Sequence, residues 1–358
     1  MMSVDFRGFS VCSATECDGA RRSQAADFMF RVPAHWISPV GRSPYALEAQ
    51  RHVMKWLADL GCSDGELKRA AMFDAAGYVG IPFPNLSRSM TLLLGKYLTL
   101  WLLWDDVQIE CLENRWRIEA EDLFEGGQPQ GMTRFDHGWW ALCRELATRR
   151  SRRWIEDVCR AMAVWDGAAR EEAIAIRNLQ QRRLVPRFAK QLELRIATIG
   201  MYPTVYLLED AYGFELPPEF HADPTVRRIK WLANEIVGLG NDVFSFGKDF
   251  KQGHLNLISN LVHTGMTVGH ALKTIIQMHN QALLDYDRLA SRMRGWGDAA
   301  DSVIATWLQD IRYASLGFSL WEAQAPRYTA HKLVIDGLVV EPAFLIVPSN
   351  NEAFVEGE

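Results

Sequence analysis

In the stretch NDVFSFGKDF, the amide of Asn241, the hydroxyl of Ser245 and the carboxylate of Asp249 stand at i, i+4 and i+8. On a helix those three side chains line one face. Such a face is either a solvated stripe or a cation site. A second acidic group closes the most apolar run of the chain, as Asp105, Asp106 and Glu110 in WLLWDDVQIE. Carboxylates at the end of a buried helix are costly unless something neutralises them, although a helix emerging into water also places acids there. Together the two stretches offer hard oxygen donors without Cys or His, the preference of Mg²⁺.

Mg²⁺ is seldom caged by protein alone and usually shares its site with substrate phosphates. The same chemistry therefore asks for cations, and the chain has them. Lys248 stands beside Asp249, Arg195 lies inside the apolar LELRIATIG, and Arg327 with Tyr328 closes WEAQAPRY. An unpaired buried guanidinium is costly, which makes Arg195 more informative than a surface Arg. An Arg next to a Tyr hydroxyl can direct several hydrogen bonds at a diphosphate oxygen. Taken singly, each of these cations is more often a surface residue than a ligand.

Helices must position these groups, because strand signals are nearly absent. HALKTIIQMHNQALLDYDRLASRM and SVIATWLQDIRYASLGFSLWEAQ repeat apolar residues at three- and four-residue spacing. TLLLGKYLTLWLLW is apolar nearly all round, the mark of a helix surrounded by others. ANEIVGLG leads into the Asn241 stretch with small residues that admit a close neighbour. Breakers separate the segments in GIPFPN, EGGQPQG, YGFELPPEF and KQGH. The pattern predicts one all-α domain of about ten helices over residues 26–340. Residues 1–25 and the tail 341–358 read as loose, the tail as a lid.

Bulk properties exclude some classes. The 358 residues carry a net charge of −5, against nucleic acid as the main partner. Six cysteines with no CxxC pair fit reduced thiols in a cytoplasmic protein rather than a disulfide frame or zinc site. MMSVDFRGFSVCSATECDGA has acids and no long apolar core, so it does not read as a signal peptide. The run from Met90 to Trp104 carries Lys96 and is short for a bilayer span.

With these motifs in order, the chain resembles class I terpene synthases of the bacterial type over nearly its whole length. DDVQIE is similar to the family's aspartate-rich motif through Asp105, Asp106 and Glu110. NDVFSFGKD resembles its second metal motif through Asn241, Asp242, Ser245, Lys248 and Asp249. LELRIATIG looks like the segment carrying the pyrophosphate-sensing arginine, here Arg195, and Arg327–Tyr328 like the C-terminal pair that follows a Trp, here Trp321. Arg312–Tyr313 is a second Arg-Tyr pair, but it precedes Trp321 and reads as structural. Two of the motifs depart from the pattern. Asp249 stands where Glu is more frequent, and Thr198 and Ile199 fall at the linker and effector positions, the effector acting through its backbone carbonyl.

The resemblance implies a class I terpenoid synthase-like helical bundle with a central cavity. Three Mg²⁺ ions are expected, one on Asn241, Ser245 and Asp249, the others on Asp105 with Asp106 or Glu110. Arg195, Lys248, Arg327 and Tyr328 would bind the diphosphate of a linear prenyl diphosphate. Its loss would leave an allylic carbocation, cyclised to a hydrocarbon or alcohol. Tyr78, Trp101 and Trp321 are the implied pocket aromatics, with Trp104 as the alternative to Trp101. Each of these aromatics also reads as ordinary core. The C15 farnesyl diphosphate is favoured over the C20 substrate, and a homodimer fits the family. Rivals are a chain-elongating prenyltransferase, disfavoured because the second motif is not a DDxxD, a helical scaffold without catalysis, and a Mg²⁺-dependent hydrolase.

Overall fold

Helix starts in this chain are set by short polar side chains. Ser87 Oγ accepts from the Met90 amide, and Asp223 Oδ1 accepts from the amides of Thr225 and Val226. Ser63 and Thr133 form reciprocal capping boxes with Glu66 and Asp136. The computed structural model describes residues 9–13, 21–22, 28–106, 115–127 and 131–349. Helices come first in number. They run α1 (Ala46–Asp59), α2 (Asp64–Met72), α3 (Ala75–Gly80), α4 (Arg88–Trp104), α5 (Ala120–Glu125), α6 (Arg134–Ala147) and α7 (Arg152–Arg182). Then follow α8 (Phe188–Thr198), α9 (Met201–Ala211), α10 (Pro218–Ala222), α11 (Pro224–Gln252) and α12 (Leu257–His263). The last three are α13 (Val268–Ala290), α14 (Asp298–Glu322) and α15 (Pro326–Thr329). Ten of these have nine residues or more, matching the expected count, and the other five are turns of helix between them.

Two helices organise the rest. α4 buries almost all its sides against α1, α2, α3 and α6, as its all-round apolar sequence predicts. Gly95 brings it close to α1, since a Cβ there would sit 3.2 Å from Val53. α11 is the other axis, packed by α8, α9, α12, α13 and α14. The small residues of ANEIVGLG do what their size predicts. A Cβ at Gly240 would lie 2.3 Å from Ser319 Oγ of α14, and one at Gly238 would lie 3.0 Å from the Arg195 stem of α8. Both close approaches need glycine.

The body is the expected all-α bundle, and the two ends of the chain add short strands to it. Strands β1 (Phe9–Ser13), β2 (Arg21–Arg22), β3 (Met29–Pro33), β4 (His331–Ile335), β5 (Leu338–Val340) and β6 (Ala343–Val347) form two small sheets. One has the order β1-β4-β5-β2 and the other pairs β3 with β6 in parallel. Part of the segment expected to be loose after 340 is thus strand, with Ala343 opposite Met29 and Val347 opposite Pro33. Before residue 25, Phe9–Ser13 pairs antiparallel with β4. These strands have two to five residues and partners far away in sequence, so periodicity is too short to reveal them. One local signal exists. Asp336 and Gly337, both at positive φ (50° and 78°), make the tight β4–β5 turn, the preferred use of an Asp-Gly pair between apolar residues.

Candidate active site

The sequence-predicted residues converge on one cavity of about 540 Å³. α4 ends there with Asp105 and Asp106 just past its last turn, and α11 lays Asn241, Ser245, Lys248 and Asp249 along the opposite wall. The end of α8 contributes Arg195 and Thr198, the break before α9 contributes Ile199, and α14 with α15 contributes Trp321, Arg327 and Tyr328. Tyr78 and Trp101 complete the predicted set. Glu110 lies outside the described residues.

Charge is concentrated on the polar side of the cavity. Lys248 Nζ donates to Asp249 Oδ1 at 2.6 Å, and Ser245 Oγ donates to Asp249 Oδ2. Burial pushes the Asp249 carboxyl up, but Lys248 and Arg195 outweigh it and hold the group at about 2, ionised. Arg195 Nε lies 2.7 Å from Asp242 Oδ1 as an ion pair, and its Nη2 is 3.7 Å from Glu172. Burial opposes the charge of Arg195, yet Asp242 and Glu172 raise its pKa above the ordinary value. Asp242 faces into the protein, where its Oδ2 accepts from the Leu257 amide at 2.6 Å. It supports the site from behind. Across the mouth, Arg327 grips Asp106 with two hydrogen bonds, Nη1 to Oδ2 at 2.5 Å and Nη2 to Oδ1 at 2.7 Å.

The opposite side is aromatic. Tyr78 stacks on Trp321 with ring centroids 4.1 Å apart, and Trp321 meets Tyr328 edge-on at 5.4 Å. Trp321 is fixed by its indole N–H, which donates to the Phe73 carbonyl at 2.9 Å. Trp101 lines the cavity and Trp104 does not, being packed among Trp116, Trp139 and Trp165. Gly200 is what admits Trp101. A Cβ there would fall 0.9 Å from the indole, and the residue sits at φ +86° as it starts α9. Next to it, Trp165 Nε1 donates to the Thr198 carbonyl at 2.8 Å, pinning the α8–α9 break. Ile199 lines the cavity beside that bond. Arg312 bonds Asp287 at 2.8 Å away from the cavity, a structural contact.

Sequence reasoning missed three contributors. Glu322, one residue after Trp321, is buried and accepts from Asn241 Nδ2 at 2.7 Å. Burial pushes its carboxyl up to about 8, against the hydrogen bond from Asn241. Asn256 caps α12 and donates to the Asp242 carbonyl (2.8 Å) and to Asp249 Oδ2 (3.1 Å), tying that loop to the Asn241–Ser245–Asp249 face of α11. An N-cap signal was readable at Asn256, but nothing local tells that its amide turns to α11. Phe318 joins the aromatic wall from one turn before Trp321.

Among the described residues no cluster of three or more His, Cys, Asp or Glu is assembled. The donors that fit a divalent cation are instead mixed, with an amide, a hydroxyl and an ionised carboxylate on one helix face and two carboxylates opposite. That is an all-oxygen set suited to a hard cation. Residues 96–285 match the family model described as terpene synthase family 2, C-terminal metal binding. The chain belongs to this terpene synthase family. Family membership implies a divalent metal at this site. A (1R,4R,5S)-(-)-guaia-6,10(14)-diene synthase from Fusarium proliferatum is 28% identical over 156 residues, 43% of this chain and 39% of that protein. The silphinene synthase of Penicillium patulum is 28% identical over 138 residues, 38% of this chain and 37% of the other. The chain thus spans about two fifths of the length of the curated relatives it matches. Among solved structures, the linalool/nerolidol synthase of Streptomyces clavuligerus superposes with a TM-score of 0.70 at 20% identity, covering 82% of this chain and all of that one. The terpene synthase fold is therefore shared with bacterial structures while these sequence relatives are fungal. Membership in the family carries no restriction to the bacterial type.

Proposed function

We propose that this terpene synthase family member is a Mg²⁺-dependent terpene cyclase that ionises a linear prenyl diphosphate, farnesyl diphosphate in the first place. One observation carries the reading. A single cavity joins a rim of oxygen donors and cations to a wall of aromatic rings, and each half suits a different part of such a substrate. Asn241, Ser245 and Asp249 would hold one Mg²⁺, and Asp105 with Asp106 further ones. Bound there, the ions would supply positive charge that stabilises diphosphate as a leaving group.

Arg195, Lys248, Arg327 and Tyr328 would orient the diphosphate and take up its charge by directed hydrogen bonds. The carbon–oxygen bond breaks with both electrons leaving on the diphosphate, and an allylic cation remains on the chain. Tyr78, Trp101, Phe318 and Trp321 would turn their rings toward that cation. Aromatic faces attract a desolvated cation by about 2 kcal/mol each. The burial of these rings also keeps water away until a proton is lost or water is admitted. The C15 preference follows relatives such as the sesquiterpene synthase of Cyclocybe aegerita. No helix among the described residues is long and apolar enough to cross a membrane.

The test is to incubate the purified protein with Mg²⁺ and, separately, C10, C15, C20 and C25 prenyl diphosphates, and to read hexane extracts by gas chromatography–mass spectrometry. A cyclic product from the C15 substrate that disappears in Asn241→Ala is expected. Release of no product from any of the four overturns the assignment, and a product from C20 alone moves it to the diterpene class.

A further inference from the structure

Glu322 is the buried acid to which none of these steps gives a task. It closes α14, 2% exposed, and borders the cavity. Its Oε1 accepts from Asn241 Nδ2 at 2.7 Å, and Tyr328 Oη lies 3.3 Å from the same nitrogen. A primary amide has two N–H donors and one carbonyl oxygen. With Glu322 and Tyr328 both at the nitrogen, Oδ1 is the end left to face a ligand. A carboxyl Oε1 accepts this bond whether or not the group is ionised, so the arrangement does not depend on its titration.

The other two donors of that helix face each have a partner on α11 itself. Asp249 is fixed by Lys248, Ser245 and Asn256, and Ser245 by Asp249 itself. The Asn241 side chain bonds across to Glu322 of α14 and Tyr328 of α15, and the terminal torsion of an Asn is otherwise broad. The geometry points to Glu322 as a positioning residue that holds the Asn241 amide with its oxygen toward the metal. This rests on the reading of the cavity as a Mg²⁺–diphosphate site. Residues behind a metal ligand typically change metal affinity 10–100-fold when removed.

The experiment is calorimetric titration of MgCl₂ into the full chain with inorganic diphosphate and no prenyl substrate, so that turnover plays no part. Glu322→Ala should raise the half-saturating Mg²⁺ concentration about tenfold. Glu322→Gln, which keeps a carbonyl oxygen in reach of Asn241, should bind close to wild type. Glu322→Met fills the space without an acceptor, guarding against a collapse caused by lost volume, and should behave like Glu322→Ala. Because Glu322 acts through Asn241, the Asn241→Ala/Glu322→Ala double variant should be no weaker than Asn241→Ala alone. Unchanged Mg²⁺ dependence in Glu322→Ala and Glu322→Met, a Glu322→Gln as impaired as they are, or penalties that multiply in the double variant would each overturn the inference. A wild-type chain showing no Mg²⁺-dependent diphosphate binding overturns the site reading itself and the inference with it.

Discussion

Arg327 is the residue on which the two sides of the cavity mouth meet. Its guanidinium forks onto Asp106 from the end of α4 and lies 5.2 Å above the Phe73 ring. Burial disfavours its charge, and Asp106 more than offsets this, holding the pKa above the ordinary value. Two parallel bonds need a planar fork, which Lys lacks. Arg327→Lys is therefore expected to lose product formation at least tenfold and Arg327→Ala more. Each should show the loss in diphosphate affinity by calorimetry, since in the proposed reaction the group would address the leaving anion. Full activity in Arg327→Lys would show that only the charge counts. The pairing of Arg327 with Asp106 was not legible in the sequence, where 220 residues intervene and each residue reads as a separate ligand. What was legible is the identity of the donors. Asn241, Ser245 and Asp249 keep helical spacing whatever surrounds them, whereas Glu322 acts only through a packing contact between α11 and α14.

Elements decide which aromatic faces the cavity. Trp101 and Trp104 are three residues apart on α4 and equally apolar in their surroundings, so the sequence leaves both open. Packing separates them, because the missing side chain of Gly200, at the start of α9, leaves the space that the Trp101 indole occupies. Gly200→Ala places a methyl group inside the indole and strains a backbone at φ +86°. It is expected to cost at least about 1–3 kcal/mol, as overpacked cores do. Measured by urea denaturation and by product chromatography, it should lower stability and change the product pattern together. An unaltered profile at unaltered stability would remove Trp101 from the pocket wall. Long helices such as α11, α13 and α14 were readable from their period, because each keeps one face on its neighbours over many turns. The terminal strands were not, apart from the Asp336–Gly337 turn, since β1 and β3 have their partners more than 300 residues away in the sequence.

At the scale of the whole molecule, one buried amine sets a pH dependence separate from the site. Lys230 of α11 is 5% exposed, with Nζ 2.6 Å from His221 Nδ1 and 4.3 Å above the Tyr206 ring. His221 in turn faces Glu209 at 3.1 Å. Burial lowers the Lys230 pKa from 10.5 to about 8, against the attraction of Glu209 and Asp157. The unfolded chain then binds more protons than the folded one between pH 8 and 10.5, so stability from this group rises with pH across that window. Below it the penalty is constant, and the full span is worth about 3 kcal/mol. Urea unfolding of wild type and Lys230→Met should show the difference shifting in favour of wild type from pH 8 to 10.5. A flat difference would mean that the amine is solvated in the folded state. The pairing of β3 with β6 and of β1 with β4 has its own consequence in the order of synthesis. Met29–Pro33 leaves the ribosome more than 300 residues before Ala343–Val347, its strand partner. Until then it is an unpaired apolar edge on a nascent chain. Arg327 and Tyr328 lie just ahead of β4, so the mouth of the cavity and the two sheets can be completed only after the long helices α4 to α14 have been made.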